Sequence, residues 1–293
     1  MAGAGLGSLA FARSLAAAPR PLPGPETEPF KLSVMLWTVY RDRPFHERLE
    51  KVAEAGYHSV ELVEEYAKWS AEDFRRVNDK KRSLGLTIDT IALTDKGLAD
   101  PAERGVFLEE LKNRLEVAAT LQCPAIIVLS GNKSPRMSHH EQHRSCVEGL
   151  KRAADLVDRR GITLLLENID PEENPKYFLT SVAEGFEIVR EVDHPHVKFL
   201  YDFYHEQIAE GNLIEKLEKN IGLVGVVHIA DVPGRHAPGT GEINYANIFR
   251  KLAHLKFPGY AAMEFEPGSD VVGELRAARE LALRSASQVT ASS

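Results

Sequence analysis

ITLLLEN, residues 162–168, is an apolar run that ends in charge. It follows Gly161 and stops at Glu167-Asn168. A run this short and this apolar has the character of a parallel strand covered on both faces. The residues just upstream, 140–160, carry Cys146, Val147, Leu150 and Leu156 at helical spacing and close at Gly161, the residue type favoured after a helix.

Working outward, the same pairing of short apolar run and amphipathic segment recurs along the chain. The other runs are KLSVMLW (31–37), HSVEL (58–62), LTIDTIAL (86–93), PAIIVLS (124–130), VKFLYDFY (197–204), VGVVHIAD (224–231) and YAAMEFE (260–266). Between them, residues 44–55 put Phe45, Leu49, Val52 and Ala53 on one face and end at Gly56, and residues 104–121 repeat the stripe. Eight strands alternating with helices imply an all-parallel sheet with right-handed crossovers. The competing doubly wound open sheet lacks support, because no GxGxxG follows the first run. The expected fold is therefore a single (β/α)8 TIM barrel over residues 30–293, and the length of 293 residues suits it.

Residues 1–29, MAGAGLGSLAFARSLAAAPRPLPGPETEP, stand apart. Small and apolar residues lead into Ala16-Ala17-Ala18 and a Pro-rich stretch, like the core and cleavage region of an export signal, yet a basic leading region is missing and Arg13 interrupts the run. Two readings stay open: the remainder of a Tat-type signal, which places the protein outside the cytoplasm, or a disordered Pro-rich tail on a cytoplasmic one. The stretch is too short and broken to span a bilayer.

With 43% hydrophobic and 27% charged residues the chain is an ordinary globular one. A net charge of -7 argues against a nucleic-acid partner; the densest basic cluster, Lys80-Lys81-Arg82, reads as a solvated helix end. Cys123 and Cys146 make no disulfide framework and read as small buried residues.

In a (β/α)8 barrel, chemistry gathers at the C-terminal ends of the strands. There the sequence puts Glu167, Asp202, His228 and Glu264, with Asp231 and Glu266 close behind. Charge inside an apolar strand persists only when paired or coordinated. Carboxylates plus one imidazole suit one divalent cation, Mn²⁺ or Mg²⁺ first, with Co²⁺ or Zn²⁺ also compatible. His139, His140 and His143 are expected on a solvated helix face rather than as a metal pair at i, i+4, Trp37 either walls the pocket or packs in the core, and of Glu61, Glu64 and Glu65, which lie where substrate contact is open to them, at least two are expected as surface charge.

The stretches YDFYHEQIAEGNL (201–213), HIADVPGRHAPGTGEINY (228–245) and MEFEP (263–267), with DPAERG (100–105), carry a resemblance. Across roughly residues 30–285 the chain resembles the xylose-isomerase-like barrel superfamily of sugar isomerases and epimerases, and within it the hydroxypyruvate isomerase family. The resemblance implies a metal held by Glu167, Asp202, His228 and Glu264, an acid/base pair of Glu167 and Glu264, and substrate contacts from His205 and Arg235. One departure stands out: hydroxypyruvate isomerases usually carry Gln where this chain has His228, and His there is the habit of the ketose 3-epimerases of the tagatose and psicose type.

The implied reaction moves a carbonyl between adjacent carbons through an enediolate, as from hydroxypyruvate to tartronate semialdehyde. A carboxylate takes the proton beside the carbonyl, and a divalent cation offsets the charge that develops on oxygen. Arg235 suits a substrate carboxylate, which hydroxypyruvate has and a free ketose lacks; the alternative for it is a loop pairing with Glu242. Ketose 3-epimerisation and a lyase reaction on an oxidised sugar are the other reactions such a centre supports. The expected partner is a small hydroxy-carbonyl molecule, without nucleic acid or a membrane span, and a homo-oligomer is compatible with the sequence.

Overall fold

The computed structural model describes residues 28–93 and 97–290. Residues 1–27 lie outside the described residues, and with them nearly all of the amino-terminal segment and its two readings. The strands are β1 (Lys31–Met35), β2 (Ser59–Leu62), β3 (Thr87–Leu93), β4 (Ala125–Leu129), β5 (Thr163–Glu167), β6 (Val197–Asp202), β7 (Val224–Ile229) and β8 (Tyr260–Met263). Around them run α1 (Phe45–Glu54), α2 (Ala71–Ser83), α3 (Arg104–Leu121), α4 (His139–Val157), α5 (Val182–Val192), α6 (Phe203–Ala209), α7 (Leu213–Asn220), α8 (Tyr245–His254) and α9 (Val271–Thr290). The strands form one closed parallel barrel in chain order, and β1 meets β8 from Lys31↔Tyr260 to Val34↔Met263.

The expected barrel is thus the observed one, with shorter strands than the apolar runs. β6 stops at Asp202, not at Tyr204, because the Asp202 carboxylate accepts hydrogen bonds from the backbone N–H of Tyr204 and His205 and starts α6 there. Serines start two other helices in the same way: Ser70 with Asp73 at α2 and Ser138 with Glu141 at α4 each form a capping box.

Strand pleating splits the apolar residues into two cores. Met35, Ala92, Ala125, Ile127, Leu165, Leu200, Val226 and Ala262 point into the barrel, while a larger set fills the space between strands and helices. Each fully buried aliphatic side chain contributes about 1.5–3 kcal/mol relative to exposure. Cys123 and Cys146 are buried free thiols in the outer core, as expected. Lys81, from the basic cluster expected in solvent, is instead buried, with its ammonium donating to the Leu121 carbonyl at the end of α3. His143 departs similarly: it tucks between α4 and α5 beside Glu184 and Glu191, at 3.1 and 3.3 Å, while His139 reaches Glu184 from an exposed position at 2.8 Å. Among the described residues no helix is long and apolar enough to cross a membrane.

α5 lies so close on β6 that Gly185 leaves no room for a side chain: a Cβ there would stand 2.2 Å from the Phe199 ring. Gly185→Ala gains helix propensity yet overpacks this contact. We expect a net loss of about 1–3 kcal/mol in urea denaturation. An unchanged midpoint would show that α5 has freedom to move off β6.

Candidate active site

The pleat that builds the inner core also aims the site. Side chains two residues apart on a strand share a face. Glu167 follows Leu165, Asp202 follows Leu200, His228 follows Val226, and Glu264 follows Ala262, and each of those four leading residues is in the inner core. The four therefore point inward from the C-terminal ends of β5 to β8, as the sequence led us to expect. All are buried, and their ligand atoms lie within 4.8 Å of one another.

His228 stands at the centre. Its Nδ1 is 2.8 Å from Glu264 Oε2, 3.5 Å from Glu167 Oε1 and 3.9 Å from Asp202 Oδ2, and its Nε2 is 3.0 Å from Glu61 Oε2. Burial alone would lower the pKa of the ring, but Glu264 and Glu61 raise it well above the usual imidazole value. The two catalytic candidates differ. Burial pushes the Glu167 carboxyl up, only partly offset by His228. Burial acts likewise on Glu264, but Arg235 and His228 outweigh it and hold that carboxyl well below the ordinary range.

Arg235 closes the site from the loop after β7. Its Nη2 donates to Glu264 Oε2 at 2.6 Å, its Nε to the Glu264 carbonyl at 3.2 Å, and its Nη1 reaches Glu173 at 3.0 Å. The pairing with Glu242 does not occur: Arg235 turns inward, and Glu242 accepts from Gln207 instead. Gly234 and Arg235 both take left-handed backbone conformations, and the Val232–Pro233 bond is cis. The loop holds its shape around Asp231, whose carboxylate accepts from the backbone N–H of Val232, Gly239, Gly241 and Ile243. Asp231 is therefore a structural residue, not a ligand, and Glu266 remains exposed outside the cluster.

His205 lies beside the site as expected, with Nδ1 2.6 Å from Asp170 and Nε2 3.5 Å from Asp202. Trp37 is a pocket wall, and its indole N–H donates to Glu264 Oε1 at 2.7 Å. Two further residues escaped the sequence reading, and a third was weighed there only as a substrate contact or a surface charge. Glu173 and Asp170 come from the loop after β5, and Glu61 is fully buried at the centre of the barrel. The expectation of surface charge for at least two of Glu61, Glu64 and Glu65 fails: Glu64 alone is exposed, whereas Glu65 is half-buried against Arg48 at 3.1 Å. The alternation Ser59, Glu61, Val63 would have placed Glu61 inside.

The pocket measures about 190 Å³, with Met35, Trp37, Ile127, Leu129 and Ile169 on its apolar side. That is smaller than the roughly 300–1,000 Å³ of drug-sized sites, and fits a substrate of a few carbons. The donor set suits a divalent cation on two counts. Asp202 Oδ2 and His228 Nδ1 are buried and aimed at the cluster without an aligned hydrogen-bond partner. Glu61, Glu167, Asp202 and Glu264 also bring more negative charge to His228 than the Arg235 guanidinium offsets.

Known proteins share this arrangement of strands. A crystal structure of an AP endonuclease of family 2 from Brucella melitensis superposes with a TM-score of 0.77 at 27% identity, covering 85% of this chain and 96% of the other. A 2-oxo-tetronate isomerase of Pectobacterium atrosepticum is 30% identical over 81% of this chain and 92% of its own length. The hydroxypyruvate isomerase of Escherichia coli is 28% identical over 84% of this chain and 97% of its own. Residues 49–286 match the family described as xylose isomerase-like TIM barrel, and the chain belongs to that family.

Proposed function

We propose that this chain is a metal-dependent isomerase of a short 2-oxo acid with a hydroxyl on the neighbouring carbon, converting hydroxypyruvate to tartronate semialdehyde through an enediolate. 2-Oxo-tetronate, one carbon longer, presents the same carboxylate, carbonyl and carbinol in a row. The observation that carries the reading is the pair of buried carboxylates, Glu167 and Glu264, in contact with one imidazole beneath a guanidinium. The names of the relatives support the reaction class.

A divalent cation held by Glu167, Asp202, His228 and Glu264 would supply Lewis-acid stabilisation of the charge on the substrate oxygens. The carboxylate-rich donor set favours Mn²⁺ or Mg²⁺ and also admits Co²⁺ or Zn²⁺. Glu167, raised by burial, is the stronger base of the pair; it takes the proton from C3 and returns it at C2. Glu264, kept ionised by Arg235, passes the hydroxyl proton from O3 to O2. Arg235 Nη1, now held by the half-exposed Glu173, is the donor that turns toward a substrate carboxylate, and His205 is fixed by Asp170 as a neighbouring contact. The apolar wall excludes water from the enediolate.

His228 supports a second reading, C3 epimerisation of a free ketose, since His at this position is the habit of such enzymes. Kinetics of the purified protein with Mn²⁺ on hydroxypyruvate, 2-oxo-tetronate and a free ketose separate the two. We expect turnover of a 2-oxo acid to an isomer of equal mass, abolished by EDTA and restored by Mn²⁺. Ketose exchange without turnover of either acid, or a cleaved product, overturns the proposal. Glu167→Gln and Glu264→Gln should each lower kcat at least about a hundredfold.

Arg235→Lys removes the fork but keeps the charge. Loss of a charged hydrogen bond of about 1.5–3 kcal/mol predicts a KM for the 2-oxo acid raised roughly ten- to a hundredfold. A neutral ketose, having no carboxylate, should show a much smaller change. An equal rise for both would remove carboxylate recognition from Arg235.

A further inference from the structure

We infer that Glu61 is a positioning residue: it holds the Nε2 proton of His228 and so commits Nδ1 to the metal cluster. The inference rests on the metal-centre reading above.

Nothing in the reaction calls on Glu61, yet its burial is costly. It is a carboxylate at the middle of the barrel with no solvent exposure, and neither of its oxygens meets an aligned hydrogen-bond donor. A buried charge survives only against a partner. Its Oε2 lies 3.0 Å from His228 Nε2, at hydrogen-bond distance though not in line, and that nitrogen also has no aligned partner. The opposite ring nitrogen, Nδ1, is the one that faces Glu264, Glu167 and Asp202. A neutral imidazole that ligates through Nδ1 must carry its proton on Nε2, and that proton needs an acceptor. Glu61 is the carboxylate placed to accept it.

Glu61 is in turn held from below. The Asp89 carboxylate accepts from Ser33 Oγ at 2.6 Å and Ser59 Oγ at 2.5 Å, while its other oxygen has no aligned partner. Burial and the neighbouring Glu61 raise the Asp89 carboxyl well above the carboxylate range. A row of polar contacts thus crosses the barrel interior from Glu264 through His228 and Glu61 to Asp89 and two serines on β1 and β2.

The experiment is calorimetric titration of the full-length chain with Mn²⁺, with circular dichroism to verify folding, for the unaltered protein, Glu61→Gln, His228→Ala and the double variant. We expect one Mn²⁺ bound by the unaltered chain, affinity about ten- to a hundredfold weaker in Glu61→Gln, and no further loss when Glu61→Gln is added to His228→Ala. A general structural role for Glu61 would weaken both backgrounds equally, and that result overturns the inference. So does an affinity unchanged by Glu61→Gln in the presence of His228. Failure of the unaltered chain to bind Mn²⁺ overturns the metal-centre reading itself, and this inference with it. Should Glu61→Gln not fold, proton–nitrogen correlation of the His228 ring in the unaltered chain loaded with Zn²⁺ decides: a proton on Nε2 supports the assignment, and one on Nδ1 overturns it.

Discussion

Charge buried inside a closed barrel has to be compensated by neighbouring side chains, because burial strips most of its hydration. Much of what is specific to this protein follows from that constraint. β5 to β8 each lead one ionisable side chain inward, and the four meet at His228. Arg235 and Trp37 donate to Glu264 from opposite ends of the chain, and Glu61 balances the far side of the imidazole. Without such partners these inward positions would have to be neutral, as are the inward positions one step earlier on the same strands, Leu165, Leu200, Val226 and Ala262.

The loops serve the same constraint. Asp231 gathers four backbone N–H groups and thereby bends the segment 232–243 so that Arg235 reaches back over Glu264. Asp202 divides its two oxygens: one caps α6, and the other is left for the cluster. Capping fixes the carboxylate without consuming it, and also fixes where His205 leaves the helix. Asp170 then orients that ring from the neighbouring loop.

The barrel was legible because short apolar runs and helical patterns alternate along the chain, and neither signal depends on distant contacts. The four strand-end residues were legible because each breaks an apolar run. Glu61 breaks one too, in HSVEL, but the run is so short, and is followed so soon by Glu64 and Glu65, that its charge reads as surface; only the parity set by barrel closure separates it from them. Glu173 and Asp170 were not legible. They lie in an irregular loop, where spacing carries no geometry and position depends on long-range contacts with Arg235 and His205. Asp231 shows the converse: its sequence position resembles that of a ligand, and its backbone partners, all downstream in one loop, make it structural.

The asymmetry between the two glutamates follows from where the guanidinium falls. Both are buried at strand ends, on β5 and after β8, both approach His228, and composition alone gives no reason to distinguish them. Arg235 donates to the Glu264 carboxylate and also to the backbone carbonyl of the same residue, while the Glu167 carboxyl is offset by His228 and its backbone carbonyl accepts from Tyr177. A single cationic fork thus drives the proton affinities of two chemically identical groups apart, in the sense that an acid/base pair requires. That fork depends on the left-handed turn at Gly234 and Arg235, which in turn depends on the loop knotted by Asp231. The difference between the two carboxylates is therefore set by a loop some thirty residues before one of them in sequence and far beyond the other, and no reading of either strand by itself contains it.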